Sequence, residues 1–374
     1  MAINSGLGFV FFLLLCTTLL HCFYIGHPVE AAVVTITDPQ EVKALRIIAN
    51  KLQNKKWIFS EDPCSGKGSW NADQEKDTKN MVICNYTSED TKFHHVTHIF
   101  LKRQNLTGVV PAELANLTYL QEIDFTGNHL NSSIPSELGS LRHLLNLALG
   151  INNLFSHIPK EIGNLVSLKK LDLVSNNLYG RLPKSLVNLT NLEKMDVRNN
   201  LFHGKIPKIY SRFSRLKEFY ASSNNFSGKI PDFIGNWKTI KKLRLEASSL
   251  EGPIPPTFSS LSQLSELMIS DLTGAGSNLS FMENLKTLKT IVLRNALIYG
   301  KIPYSIGEFN NLKILDLRFN SLTGSIPPTL EKIINANIQY LYLGNNNLSG
   351  KPPAWLNIIE YVFLLVHLAD KESG

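Results

Sequence analysis

One period governs most of this chain. From Val96 onward the pattern L-x-x-L-x-L-x-x-N-x-L-x-G-x-I-P returns, in phase, at Val96, Leu120, Leu144, Leu168, Leu192, Leu216, Ile240, Leu264, Leu288, Leu312 and Ile338. Nine of the ten intervals are 24 residues and the last is 26. Eleven copies in register demand a stacked architecture, because one such unit cannot bury its apolar side without neighbours. Within each repeat the x-x-L-x-L-x-x segment alternates, as a short strand does, with leucines on one side and polar residues on the other. Strands stacked at about 4.8 Å per step give a parallel sheet roughly 50 Å across. Later apolar positions, such as Leu178 and Leu182, fold the chain back over the core, each gaining about 1.5–3 kcal/mol when neighbours stack on both sides.

The composition follows from the period. The chain has 56 Leu and 35 Asn in 374 residues. Asn128, Asn152, Asn176, Asn200, Asn224, Asn320 and Asn346 all occupy the ninth position of their repeats. An inward amide at a turn can satisfy backbone groups of adjacent coils, each of which would cost about 1–3 kcal/mol if left unpaired. Gly180, Gly204, Gly228, Gly252 and Gly324 follow at a common position that permits a tight bend. Pro at the sixteenth position, in ten of eleven repeats, fixes an extended segment. Leucine and asparagine are therefore architecture rather than chemistry.

With 43% hydrophobic and 18% charged residues the chain is neither disordered nor a polytopic membrane protein. Its net charge of +7 lacks any run of five basic residues, so it reads as a generally basic surface and not as a nucleic-acid site. Phe9 to Leu20 (FVFFLLLCTTLL) is an apolar run of 12 residues, shorter than the roughly 20 a spanning helix needs. It fits a secretory leader cleaved after Val29-Glu30-Ala31, with an uncleaved anchor as the alternative. Removal of the leader leaves Cys64 and Cys84, which in an exported chain read as one disulfide worth on the order of 3 kcal/mol. Eight glycosylation sequons point the same way: Asn85, Asn105, Asn116, Asn131, Asn188, Asn225, Asn278 and Asn347.

The repeat resembles the plant-specific leucine-rich repeat of receptor-like kinase ectodomains and secreted inhibitors, over residues 96–353. That resemblance implies an α/β solenoid: a right-handed superhelix of about eleven repeats, with short parallel strands on the concave face and a helical N-terminal cap. The cap is signalled by Asp38-Pro39-Gln40-Glu41, a helix start with Asp at the cap and Glu three residues on. Val42, Leu45, Ile48 and Leu52 then share one face. Trp57, Asp62-Pro63-Cys64-Ser65-Gly66 and Trp70 are similar to the cap of these ectodomains. More narrowly, DPCSGKGSW with HVTHIFLKRQNLTGVVPAELANLTYLQEIDF resembles the branch whose full-length members add a malectin-like domain, a membrane helix and a cytoplasmic kinase. Tyr86 and His94 stand where that branch tends to carry a second cysteine pair.

The expected organisation is a signal peptide at 1–31, a cap at 32–95, the solenoid at 96–353 and a non-repeat tail at 354–374 that marks a truncation point. The sequence has no Gly-rich loop with a downstream VAIK-like lysine, no HRD and no DFG. This chain is thus expected to be no enzyme and to need no cofactor, the kinase and membrane attachment belonging to a C-terminal part it lacks. Tyr361 to Leu368 is apolar but too short to span a membrane. The tail is expected to shield the last coil.

Ligand recognition is expected on the solvent side of the sheet. There repeats six to ten present Tyr220, Arg244, Met268, Arg294 and Arg318, a mixture suited to an extended peptide whose carboxylate or sulfate an arginine takes bidentately. Related receptors that read a free carboxylate carry Arg-x-Arg on this face, whereas here the place reads Arg244-Leu245-Glu246. Ser248, Leu272 and Ala296 replace the ninth-position Asn in repeats seven to nine, and repeat eight also loses its Ile-Pro. The ladder is expected to loosen or bend from Leu272 to Phe281. His94, His95 and His98 do not form a recognised zinc spacing, and Asp124, Asp172 and Asp196 recur once per strand rather than as a hydrolase pair. The sequence thus points to a non-catalytic extracellular module binding a peptide, a cell-wall component or a co-receptor ectodomain. The alternative is a stand-alone secreted inhibitor of a pathogen cell-wall hydrolase, or a soluble decoy.

Overall fold

Each repeat from Leu120 to Ile338 opens with a strand whose alternate residues are sealed from water. The central strand residues Ile123, Leu147, Leu171, Met195, Phe219, Leu243, Leu267, Ile291, Leu315 and Leu341 are all fully buried. In this computed structural model the described residues are 36–72, 77–85, 92–351, 353–357 and 363–365. The described residues from Thr37 onward belong to one compact body. The expected leader, its cleavage site and Tyr86 lie outside the described residues.

The strands pair in parallel and in register with the period. Lys170–Asp172 lies beside Lys194–Asp196, which lies beside Glu218–Tyr220, with Leu171, Met195 and Phe219 as successive partners. The sheet continues from Lys79–Asn85 to Phe363–Leu365 without a break in strand order. The segment Phe363–Leu365 pairs with Tyr340–Tyr342 and so covers the edge of the last repeat. On the far side of each coil the sixteenth-position proline precedes a 3-10 turn, as Pro183 does before Lys184–Asn188 and Pro207 before Lys208–Arg212. Its fixed φ holds the extended entry that such a turn needs. Repeat ten departs from this pattern with a short α-helix, Leu330–Ala336.

Between sheet and turns run shorter second sheets. One joins Phe155–Ser156, Asn177–Gly180, Leu201–Gly204 and Asn225–Phe226, and two others serve repeats seven to eight and nine to eleven. Gly180 takes φ of +90°, a bend that a side chain would strain. Gly252 is not left-handed, and its requirement is space, since a Cβ there would collide with the carbonyl of Ala275.

The asparagine ladder forms as its chemistry dictates. Asn176 Oδ1 accepts from Leu154 N at 3.0 Å, while its Nδ2 donates to the carbonyls of Leu149 and Leu173, both at 3.1 Å. One side chain thereby ties two coils together. The loosening expected from Leu272 to Phe281 falls on one side of the coil only. Where Leu272 and Ala296 replace Asn, the strands do not loosen but lengthen to Glu266–Ser270 and Thr290–Arg294, paired through Ser270 and Arg294. In repeat nine the amide of Asn320 from the next coil still reaches the backbone, with Ala296 N and Ile298 N donating to its Oδ1 at 3.0 and 2.9 Å. The interruption falls on the other side, where the second sheet breaks between repeats eight and nine and only a Ser277–Ile298 bridge remains.

The cap is a helix, Pro39–Leu52, started by Asp38, whose side chain accepts from Gln40 N at 2.7 Å. Glu41 does not close a capping box. It turns inward, where its carboxylate meets His95 Nδ1 at 3.0 Å and accepts from Val96 N at 2.7 Å. That contact fastens the helix to the first strand of the solenoid, Phe93–Lys102, which also holds His94. Trp57 Nε1 donates to Asn80 Oδ1 at 3.0 Å, and the rings of Trp57 and Trp70 lie 4.9 Å apart. Cys64 and Cys84 are joined, with Cα atoms 5.4 Å apart.

Candidate functional site

The parallel register lines up equivalent outward positions at the strand spacing, so side chains at the third, fifth and seventh positions form rows across the sheet. Tyr220, Arg244 and Met268 are successive partners in one row. Tyr220 is only 5% exposed, although it points away from the leucine core. Guanidinium groups cover its ring from both sides, Arg198 with Cζ at 4.7 Å from the centroid and Arg244 at 5.1 Å. Burial, followed by the nearby Glu218 carboxylate, pushes the Tyr220 phenol well above its ordinary value.

Each guanidinium is itself held. Arg198 forks onto Asp196 with Nε to Oδ1 at 2.9 Å and a second nitrogen to Oδ2 at 2.6 Å. Arg244 Nε donates to Glu266 Oε1 on the next strand, a contact that raises the arginine further above its ordinary range. Lys242 pairs with Glu218 at 3.1 Å and Lys194 with Asp172 at 3.4 Å. The carboxyl of Asp172 is nonetheless raised, because burial and neighbouring Asp196 outweigh Lys194. Glu246 is raised by burial as well, despite its contact with Ser222 Oγ. The patch is therefore a compensated network around one buried phenol rather than a row of free cations.

The other two arginines of the expected set stand apart from Tyr220. Arg318 forks onto Asp316 at 2.9 and 2.6 Å and covers the ring of Tyr342 at 4.3 Å. Arg294, at the end of its lengthened strand, is exposed and lies 5.0 Å above the ring of Phe319. Among the described residues it has no carboxylate partner. The five expected residues thus form two groups, one around Tyr220 and one around Arg294 and Arg318.

Arg198, Glu218 and Glu266 complete the first group but are absent from the expected set. A signal for them exists in the sequence. Opposite charges 22 or 24 residues apart, such as Arg244 with Glu266 or Lys242 with Glu218, become cross-strand neighbours once the period is known. All eight sequon asparagines are exposed. The described helices include none long and apolar enough to cross a membrane.

Known proteins share both the repeat and its stacking. The Leucine Rich Repeat family model matches residues 119–141, 167–189, 215–237, 311–333 and 337–357. A probable leucine-rich repeat receptor-like serine/threonine-protein kinase of Arabidopsis thaliana is 42% identical over 96 residues, 25% of this chain and 9% of that protein. The chain therefore matches only a small part of that relative's length. Among solved structures, the Arabidopsis receptor kinase HAESA in complex with the peptide hormone IDA and the co-receptor SERK1 has a TM-score of 0.76 and 28% identity, covering 88% of this chain and 53% of that one. A TDR receptor has a TM-score of 0.67 and 30% identity, covering 72% and 46%. Matching repeats, sheet topology and these neighbours together make the chain a leucine-rich repeat protein, a solenoid similar to the ectodomains of plant receptor-like serine/threonine kinases.

Proposed function

We propose that this chain is the ligand-recognising, non-catalytic extracellular part of a plant receptor-like kinase, and that its sheet face binds an extended peptide together with a co-receptor ectodomain. The observation that carries this reading is the likeness to a receptor ectodomain solved with both kinds of partner. The face supplies matching chemistry. A peptide laid across the strands would meet Met268 and the guanidinium groups that cover Tyr220, while Arg294 offers five donors to an anionic group without first giving up an intramolecular carboxylate. Arg244 and Arg318 would orient rather than capture, since each must break a fork or an ion pair to do so. The exposed sequons and the 12-residue apolar run near the N-terminus support export.

The test is a binding screen of the purified chain against secreted plant peptides, each with a free and an amidated C-terminus. Arg294→Ala should weaken a captured free-carboxylate peptide about tenfold or more, and Arg244→Ala by less. Equal binding of the amidated peptide, or an unchanged affinity in Arg294→Ala, would remove Arg294 from the role.

A further inference from the structure

A second polar surface lies away from the sheet face. At the fourteenth position repeats four, five and six carry Arg181, Lys205 and Lys229, and at the seventeenth position repeats three, four and five carry Lys160, Lys184 and Lys208. All six are exposed, and among the described residues none of them makes an ion pair. The rows follow directly on the one second sheet that runs unbroken over four repeats, Phe155–Ser156 to Asn225–Phe226. The fourteenth-position row follows on from strands stacked at about 4.8 Å per step, and the seventeenth-position row opens the 3-10 turns Lys160–Asn164, Lys184–Asn188 and Lys208–Arg212. Three like charges follow one another in successive coils of each row before Asp232 and Glu251 appear in repeats six and seven, so the rows favour an anionic partner.

The spacing and floor of this surface narrow the partner. The two rows are three extended residues apart, about 10 Å at 3.3 Å per residue. Between them lie half-buried Pro159, Pro183, Pro207 and Pro231, an apolar strip rather than a polar one. The stem of Arg181 is laid across the next coil, where a Cβ on Gly204 would come within 3.2 Å of its Cγ and Nε. Lys205 crosses Gly228 in the same way, with Cε at 3.1 Å from such a Cβ. An open groove of about 650 Å³ includes Lys205, Lys208 and Lys229 in its lining, with Asp232 and Glu251 as its carboxylates in repeats six and seven.

From this we infer that the basic double row over repeats three to six is a binding surface for a linear acidic polysaccharide of the polyuronate class. Such a chain carries one carboxylate per sugar, at an interval of the order of the strand spacing. Successive carboxylates project to alternate sides and would meet the two rows in turn, while the C–H faces of the sugars lie on the proline strip. A flat anionic membrane would use the cations but not the narrow apolar strip between them. The surface is separate from the proposed peptide face, and either can fail without the other.

The test uses the purified full chain with immobilised polygalacturonate, neutral dextran as control and phosphatidylserine-containing vesicles as the competing surface. Binding should favour polygalacturonate over both and weaken as salt rises. Replacing Arg181, Lys205 and Lys229 together by Gln should cost about tenfold in affinity, as should replacing Lys160, Lys184 and Lys208. Lys→Arg changes at the five lysines should retain binding, and Arg294→Ala should leave it unchanged. Wild-type affinity in either folded triple variant would overturn the inference. So would a preference for the vesicles, or equal binding to dextran.

Discussion

Repeats two to six and repeats seven to nine solve the same backbone problem in different ways. In the first group a single amide per coil, as at Asn176, feeds one donor and two acceptors across two coils. In the second group the side chain is Ser248, Leu272 or Ala296, which supplies no amide of its own, although Asn320 of repeat ten reaches back to Leu293 O, Ala296 N and Ile298 N. Strands of repeats eight and nine extend to five residues and pair directly. Ser248 retains one bond, its hydroxyl donating to Leu245 O at 2.6 Å. There is a conformational consequence. All repeats place the eighth residue in the left-handed region, but Asn105, Ser249 and Leu297 add a second left-handed residue at the tenth. These follow Gln104, Ser248 and Ala296, three of the four places where the ninth residue is not Asn. For Ser249 and Leu297 that backbone costs of order 1 kcal/mol each. The asparagine therefore does more than satisfy polar groups, because it also spares the chain a strained residue.

Breaking this comparison should be easiest in the first group. Asn176→Ala orphans one N–H and two carbonyls in a buried turn and should cost roughly 3 kcal/mol, read from the urea midpoint. Ser248→Ala removes one buried hydroxyl bond and should cost about 1 kcal/mol in the same assay. If the two substitutions proved equally costly, the lengthened strands would be no substitute for the amide. The smallest effect sharpens the electrostatic side of repeat seven. Burial holds the Glu246 carboxyl above its ordinary 4.5, so the folded state favours the protonated form. The stability this contributes is complete below about pH 4.5 and is lost as pH rises through the raised value. Glu246→Gln should accordingly gain a few tenths of a kcal/mol at pH 7, an advantage that shrinks toward pH 4. An advantage that grew on acidification would contradict the assigned direction.

Much of the fold is legible without coordinates. The buried leucines, the Asn176 ladder and the Asp38 cap follow from spacing alone, because each depends on contacts one period away or within one turn. Tyr220 and Arg244 are also readable as outward residues. Their meaning is not, since it depends on which charges stand diagonally across two strands. Arg198 and Glu266 convert what reads as an exposed aromatic and a free cation into a covered phenol and a saturated one. Glu41 is a similar case, reading as a local capping residue while its carboxylate is spent on His95 and Val96, more than fifty residues away.

The sequence by itself determined the solenoid, its period and which residues face the core, since a strict repeat leaves one way to bury a periodic apolar side. Tertiary structure decided what the exceptions do. Whether a missing amide loosens a coil or lengthens a strand depends on whether the neighbouring backbone lies within hydrogen-bonding reach. Whether Arg244 is free depends on a carboxylate one repeat away. Both are distances between coils, and they exist only once the coils are stacked.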